Sequence, residues 1–133
     1  VPLLQFDTTV SATDAEREAF TEAVTELYAE EMATTTGHVA VVIREQPEAN
    51  LSIGRGVDGP CCFLSADVRE GRSLERRRSF ALAVMELAAE TWAIPEPNLK
   101  VSFTEHEGTD LMGVDRVGGE WSGEDGADDG DDG

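Results

Sequence analysis

Between residues 13 and 32, apolar side chains recur every three or four positions (Ala19, Phe20, Ala23, Val24, Leu27, Tyr28, Met32), while Glu18, Glu22, Glu26 and Glu30 fall on the other faces. That spacing predicts an amphipathic helix. Thr13-Asp14-Ala15-Glu16 before it has the form of a capping box, in which the Thr13 and Glu16 side chains satisfy the first unpaired helix donors. Thr34-Thr35-Thr36-Gly37 ends the helix, and the β-branched run 38–43 predicts a buried strand. The same order then returns. Residues 61–66 read as a strand and 67–72 as a loop; Ser73 caps a second helix that buries Phe80, Val84, Leu87, Ala88 and Trp92. Pro95 and Pro97 close that helix, and 99–103 is a further strand.

The chain is thus expected to be α+β, with two consecutive βαβ units, about 2–44 and 60–105. Right-handed crossovers make the strands within each unit parallel. The two units should share one four-stranded sheet with both helices on one face, leaving the other face for neighbouring subunits to cover. The linker 45–59 is rich in Pro and Gly and is expected to carry a short hairpin around Leu51-Ser52-Ile53. From Gly118 onward Gly and acidic residues dominate, so the domain is expected over 1–121 and an acidic disordered tail over 122–133.

Charge alters the picture more than size does. The 133 residues hold 28 acids against 10 bases, a net charge of -18, which repels nucleic acid and anionic lipid. A surface this acidic suits a salt-adapted host, where screening suppresses self-repulsion. No apolar run approaches the roughly 20 residues of a membrane span, and the opening residues lack a signal-peptide pattern, so a cytoplasmic location is expected. Cys61 and Cys62 are adjacent inside an apolar run and read as reduced core residues. His38 and His106 have no metal-ligand spacing, so no metal is expected.

Residues 54–59 match G-x-G-x-x-G, but Pro60 and a strand follow where a nucleotide fingerprint needs a helix, and the glycines read as turn residues. Arg69-Glu70-Gly71-Arg72 places two guanidinium forks before a helix N-terminus, a pattern that can hold a carboxylate or simply form a solvated charged face. Arg76, Arg77 and Arg78 read mostly as exposed partners of Glu75 and other acids. Tyr28 reads as core or site, and His38 as pocket wall or packing. Pro2 carries chemistry only as a free N-terminal secondary amine, which can act as a general base.

Pro2-Leu3-Leu4-Gln5-Phe6-Asp7, Arg44-Glu45-Gln46-Pro47 before a Gly-rich turn, Arg69-Glu70-Gly71-Arg72-Ser73 and Ile94-Pro95-Glu96 together resemble the tautomerase superfamily. The opening is similar to malonate semialdehyde decarboxylases and residues 45–73 to cis-3-chloroacrylic acid dehalogenases, while the two-unit length resembles macrophage migration inhibitory factor. The resemblance implies a proline catalyst at Pro2, carboxylate-binding arginines at Arg69 and Arg72, a homotrimer, and no cofactor or metal. Tyr28 stands where the dehalogenase pattern has histidine, Ser102 where it has tyrosine, and Asp115 is nearest to its water-activating acid. Tyr28, His38, Ser102 and Asp115 are therefore candidate substrate-binding residues. The implied activity is cofactor-independent tautomerisation of a small 2-oxo or enol carboxylic acid; the alternatives are hydration, dehalogenation or decarboxylation at the same site, or a non-catalytic binding role. A Val1-Pro2 amide has no basic lone pair. The expectation is that Val1 reflects a GTG start, that the mature protein begins at Pro2, and that burial and nearby arginines lower its amine pKa.

Overall fold

The computed structural model describes residues 2–121, so Val1 and the acidic tail expected over 122–133 lie outside the described residues. The main elements are β1 (Leu3–Thr8), α1 (Asp14–Glu31), β2 (Ala40–Glu45), β3 (Cys62–Arg69), α2 (Leu74–Trp92) and β4 (Leu99–His106). A small hairpin of β5 (Met112–Gly113) and β6 (Arg116–Val117) follows. The four long strands form one sheet in the order β2-β1-β3-β4. β1 runs parallel to β2 and β3 parallel to β4, as the crossover rule requires, and the two units meet through an antiparallel β1–β3 pair.

Alternation along the strands decides what packs where. Leu4 and Phe6 of β1, and Cys62, Leu64, Ala66 and Val68 of β3, are buried in one core with Phe20, Val24, Tyr28 and Met32 of the α1 side and Phe80, Val84, Ala88 and Trp92 of α2. Val41, Ile43, Val101 and Phe103 of the outer strands pack against that core. Both helices therefore cover a single sheet face. Phe20 joins the layers, edge-on to Phe6 at 5.1 Å and stacked on Trp92 at 4.1 Å between ring centres. The opposite face carries Leu3, Phe63 and the exposed Val42 among Gln5, Asp7, Ser65, Lys100 and Ser102.

The duplication is close to exact at an offset of 60 residues. Thr13 caps α1 with both halves of the capping box formed, and Ser73 caps α2. Phe20 and Phe80, and Val24 and Val84, are buried equivalents. After the helices, Ala33 and Ala93 both take left-handed backbone, with φ of 54° and 53°.

Several boundaries differ from the sequence reading. β2 begins at Ala40 rather than His38, because Ala40 is the first residue paired with β1. β3 does not stop at Ala66 but continues to Arg69, since alternation carries it on through buried Val68 and paired Asp67. The hairpin expected at 51–53 is absent. A short 3-10 turn, Glu48–Asn50, precedes an irregular loop. Fully buried Asn98 organises that loop: its amide group donates to Val57 O at 2.8 Å and Pro60 O at 3.0 Å, while its Oδ1 accepts from Val57 N at 2.8 Å. Gly118–Trp121, at the end of the stretch 1–121 read as the domain, packs on the turn after β3.

Candidate active site at one end of the sheet

Because β1 and β3 are antiparallel, the start of β1 meets the end of β3. Leu3 pairs with Asp67, and one further step sets Pro2 opposite Val68, next to Arg69. Pro2 is buried, and its carbonyl accepts from Ala40 N at 3.0 Å, which brings the start of β2 and the preceding His38 to the same end. On the far side of β3, Arg69 is in register with His106. The topology alone thus gathers Pro2, His38, Arg69, Arg72 and His106 from four chain segments.

Arg69 and Arg72 are not a solvated charged face; they are 1% and 3% exposed. Buried guanidinium groups need acceptors, and the fold supplies them. Arg69 Nη1 donates to Gly119 O at 2.9 Å. Arg72 Nε donates to Met32 O at 2.8 Å, and its Nη1 reaches Arg69 O at 3.4 Å. α1 has no basic residue in its last turn, so Arg72, together with Arg76 Nη1 on Glu31 O at 3.1 Å, supplies positive charge and donors to that helix end. Arg76 and Arg77 are accordingly half-buried rather than exposed partners of Glu75; Arg77 faces Glu105 at 3.9 Å and lies over Phe103.

Gly71 turns the chain between the two arginines at φ +117°, a conformation that favours glycine. Gly108 is required for a different reason, since an added Cβ would fall 2.0 Å from Gly119 O. That close approach, with Gly118 N donating to Leu111 O at 2.8 Å, seats the C-terminal strap on the arginines. Trp121 then covers Arg72, 5.0 Å from its guanidinium carbon to the ring centre.

The other predicted residues divide. His38 is at the site end and its Nε2 lies 2.9 Å from Arg116 Nη1; a guanidinium only donates, so this nitrogen accepts and the ring proton belongs on Nδ1. Tyr28 is closed to solvent, edge-on to Phe80 and 5.9 Å from the Arg72 guanidinium carbon, so it supports Arg72 from within the core. Ser102 is exposed four residues before His106 on β4, roughly 13 Å back along the strand. Asp115 is exposed at the turn between β5 and β6.

Sequence reasoning missed three features. His106 Nε2 and Asp67 Oδ1 form a 2.8 Å pair on the face away from the helices, next to the Leu3–Asp67 register pair. Arg116 and Trp121 were also missed, although each carried a signal: Arg116 is one of only ten cations, and Trp121 is an isolated aromatic in a stretch of Gly and acids. Beside the arginine turn a cavity of about 410 Å³ is lined by Glu70, Glu107, Glu120, Gly108 and Trp121. Its carboxylates repel an anionic ligand, so the cationic side of the turn is the one that suits a carboxylate. The described residues contain no cluster able to hold a metal ion, and no helix long and apolar enough to cross a membrane.

No family model and no curated protein matches the sequence. Solved structures do. A member of the cis-3-chloroacrylic acid dehalogenase family superposes with a TM-score of 0.79 at 16% identity, covering 89% of this chain and 84% of the other. The macrophage migration inhibitory factor of Toxoplasma gondii gives 0.75 at 18% identity, over 86% of this chain and 98% of the other. The chain has the tautomerase-superfamily fold. A fused 4-OT protein, a wild-type symmetric trimer, gives 0.76 at 16% identity, over 95% and 98%. The resemblance read from short motifs in the sequence therefore agrees with the fold, which spans most of the described chain.

Proposed function

We propose that this protein is a cofactor-independent tautomerase acting on a small 2-oxo or enol carboxylic acid. The convergence of Pro2, Arg69 and Arg72 at one end of the sheet carries the reading. The Arg69 and Arg72 guanidinium groups hold the substrate carboxylate and balance enolate charge as it develops. The Pro2 amine, once freed of Val1, removes a proton from one position of the substrate and returns it to another, so only a proton changes place. Tyr28 braces Arg72, and His38, held by Arg116, forms the wall beside Pro2.

The likeness to a symmetric trimer supports a homotrimer here. Trimer formation would cover Leu3, Val42 and Phe63 on the open sheet face, and it leaves Ser102 and Asp115 available to a neighbour's site. The net charge of -18 fits a cytoplasm of high salt. The test is a panel of phenylenolpyruvate and chloroacrylates assayed in molar salt on protein beginning at Pro2, with Pro2→Ala as control. Ketonisation of phenylenolpyruvate, lost in the control, is expected. Halide release without ketonisation would move the assignment to the dehalogenases, and turnover unchanged by Pro2→Ala would remove proline from the mechanism.

A further inference from the structure

At the site end of the sheet three neighbouring strands present chemistry side by side. One step past the Leu3–Asp67 pair sets Pro2 beside Val68 and Arg69, and Arg69 is in register with His106 on its other side, so the order across the sheet is Pro2, Arg69, His106. Glu70 N donates to His106 O at 2.7 Å, which fastens the end of β4 to the arginine turn. Asp67 orients the His106 ring. Nε2 lies 2.8 Å from Asp67 Oδ1, and since a carboxylate only accepts, Nε2 carries a proton and donates it. No described residue bonds Nδ1, and the His106 and Asp67 side chains are 32% and 31% exposed, so a ligand can reach the pair.

We propose that His106, oriented by Asp67, contacts the oxygen on C2 of the substrate and so selects 2-oxo and 2-enol acids over acids that lack that oxygen. The inference rests on the reading of Pro2 as the base and of Arg69 and Arg72 as the carboxylate clamp. C2 of such an acid is trigonal and bears three substituents: the carboxylate, the oxygen and C3. The sheet end offers three matching groups, with the clamp in the middle, Pro2 one strand to one side and His106 one strand to the other. Neighbouring strands lie about 4.8 Å apart, so the backbones of Pro2 and His106 are separated by roughly 10 Å. An oxygen and a carbon on one trigonal centre, with a hydrogen bond on one side and a proton-transfer contact on the other, span roughly 8 Å, which the length of the imidazole brings within reach. One ring atom suits both forms of the substrate. Unprotonated, Nδ1 accepts from an enol hydroxyl; protonated, with the Asp67 carboxylate against the opposite nitrogen, it donates to a 2-oxo oxygen. His106 thus holds the oxygen and turns C3 toward Pro2, and the proton movement stays with Pro2.

The test is equilibrium dialysis in molar salt, with the chain beginning at Pro2 and its His106→Phe variant, both checked for native circular dichroism. The ligands are phenylpyruvate and 3-phenylpropanoate, which has the same ring, chain and carboxylate but no oxygen on C2. Neither measurement needs turnover. The native protein is expected to bind phenylpyruvate at least about tenfold tighter than 3-phenylpropanoate, and His106→Phe to lose that preference through weaker phenylpyruvate binding alone. Asp67→Asn, which keeps an acceptor for Nε2 and removes the charge, is expected to reduce the preference about threefold, and it decides the matter if His106→Phe does not fold. A preference for phenylpyruvate that survives in the folded variants overturns the oxygen contact. An equal loss of both ligands overturns it too, and makes the Asp67–His106 pair structural. If the folded native protein binds neither acid, the carboxylate clamp fails and the assignment of His106 falls with it.

Discussion

The two ends of the central sheet are related by the internal duplication, yet they are built for different purposes. At one end Pro2 faces the end of β3, with Arg69, Arg72 and His38 around it. Shifting each of these by 60 residues, taken forward from Pro2 and His38 and back from the arginines, gives Cys62, Thr9, Ala12 and Asn98 at the other end. There the chain closes on itself: Thr8 Oγ1 and Thr9 N both donate to Cys61 O, at 2.8 and 3.1 Å, Thr9 Oγ1 accepts from Cys61 N at 3.0 Å, and Asn98 ties down the loop. Burial pushes the Cys62 thiol up to about 12, so it stays a neutral core group. Duplication repeats the scaffold, while cations placed in only one β-to-α turn set the end of the proposed site apart from the other.

Breaking the cationic end should have the largest effect. Arg69→Ala is expected to cost about 2–5 kcal/mol of transition-state stabilisation, read as kcat/KM in molar salt, with Arg69→Lys recovering only part because a point charge replaces a fork. Thr9→Ala, its counterpart at the other end, should leave kcat/KM within about twofold. Equal effects would erase the distinction between the ends.

Stability should show the reverse ranking. Asn98→Ala leaves several buried loop groups without partners and is expected to cost about 2–4 kcal/mol in chemical denaturation, whereas His38→Ala at the equivalent position should cost under about 1 kcal/mol. A larger loss at His38 would make that residue structural and weaken its place in the site.

The smallest effect concerns Asp7 on the open face. Partial burial alone would raise its carboxyl pKa, but hydrogen bonds from Arg44, bidentate at 2.8 and 3.0 Å, and from Gln46 at 2.9 Å, with the Arg44 charge, hold it below the usual carboxylate range. A depressed folded-state pKa adds stability that is present above the unfolded value and lost as pH falls through the folded one. The Asp7 contribution should therefore fade below about pH 4. Arg44→Ala is expected to cost about 0.5–1 kcal/mol near neutral pH, the pair being partly exposed, and to flatten the acid limb of the stability curve. An acid limb identical to wild type would assign acid unfolding to other carboxylates.

Much of this fold was legible because the periodicities that specify it are local. The two caps, the helix faces with Phe20 and Phe80, and the order of strands all follow from spacing that a single segment displays. The errors arose where meaning depends on a distant partner. Asp67 and Arg69 look like loop residues until β4 lies beside them, Leu51 and Ile53 look like a strand until no neighbour pairs with them, and the two-residue strands β5 and β6 have no period to read. The site was legible only in part for the same reason. Pro2, Arg69 and Arg72 stood out by chemical type, whereas the Asp67–His106 and His38–Arg116 pairs join residues 39 and 78 positions apart, which no local pattern reports.

The central claim is that the Pro2 amine at the cationic end does the chemistry, and the most direct measurement compares two forms of the same chain, one beginning at Pro2 and one retaining Val1. With phenylenolpyruvate in molar salt, the form beginning at Pro2 should be at least about 100-fold more active, because the Val1-Pro2 amide has no basic nitrogen. Equal activity of the two forms would contradict the account.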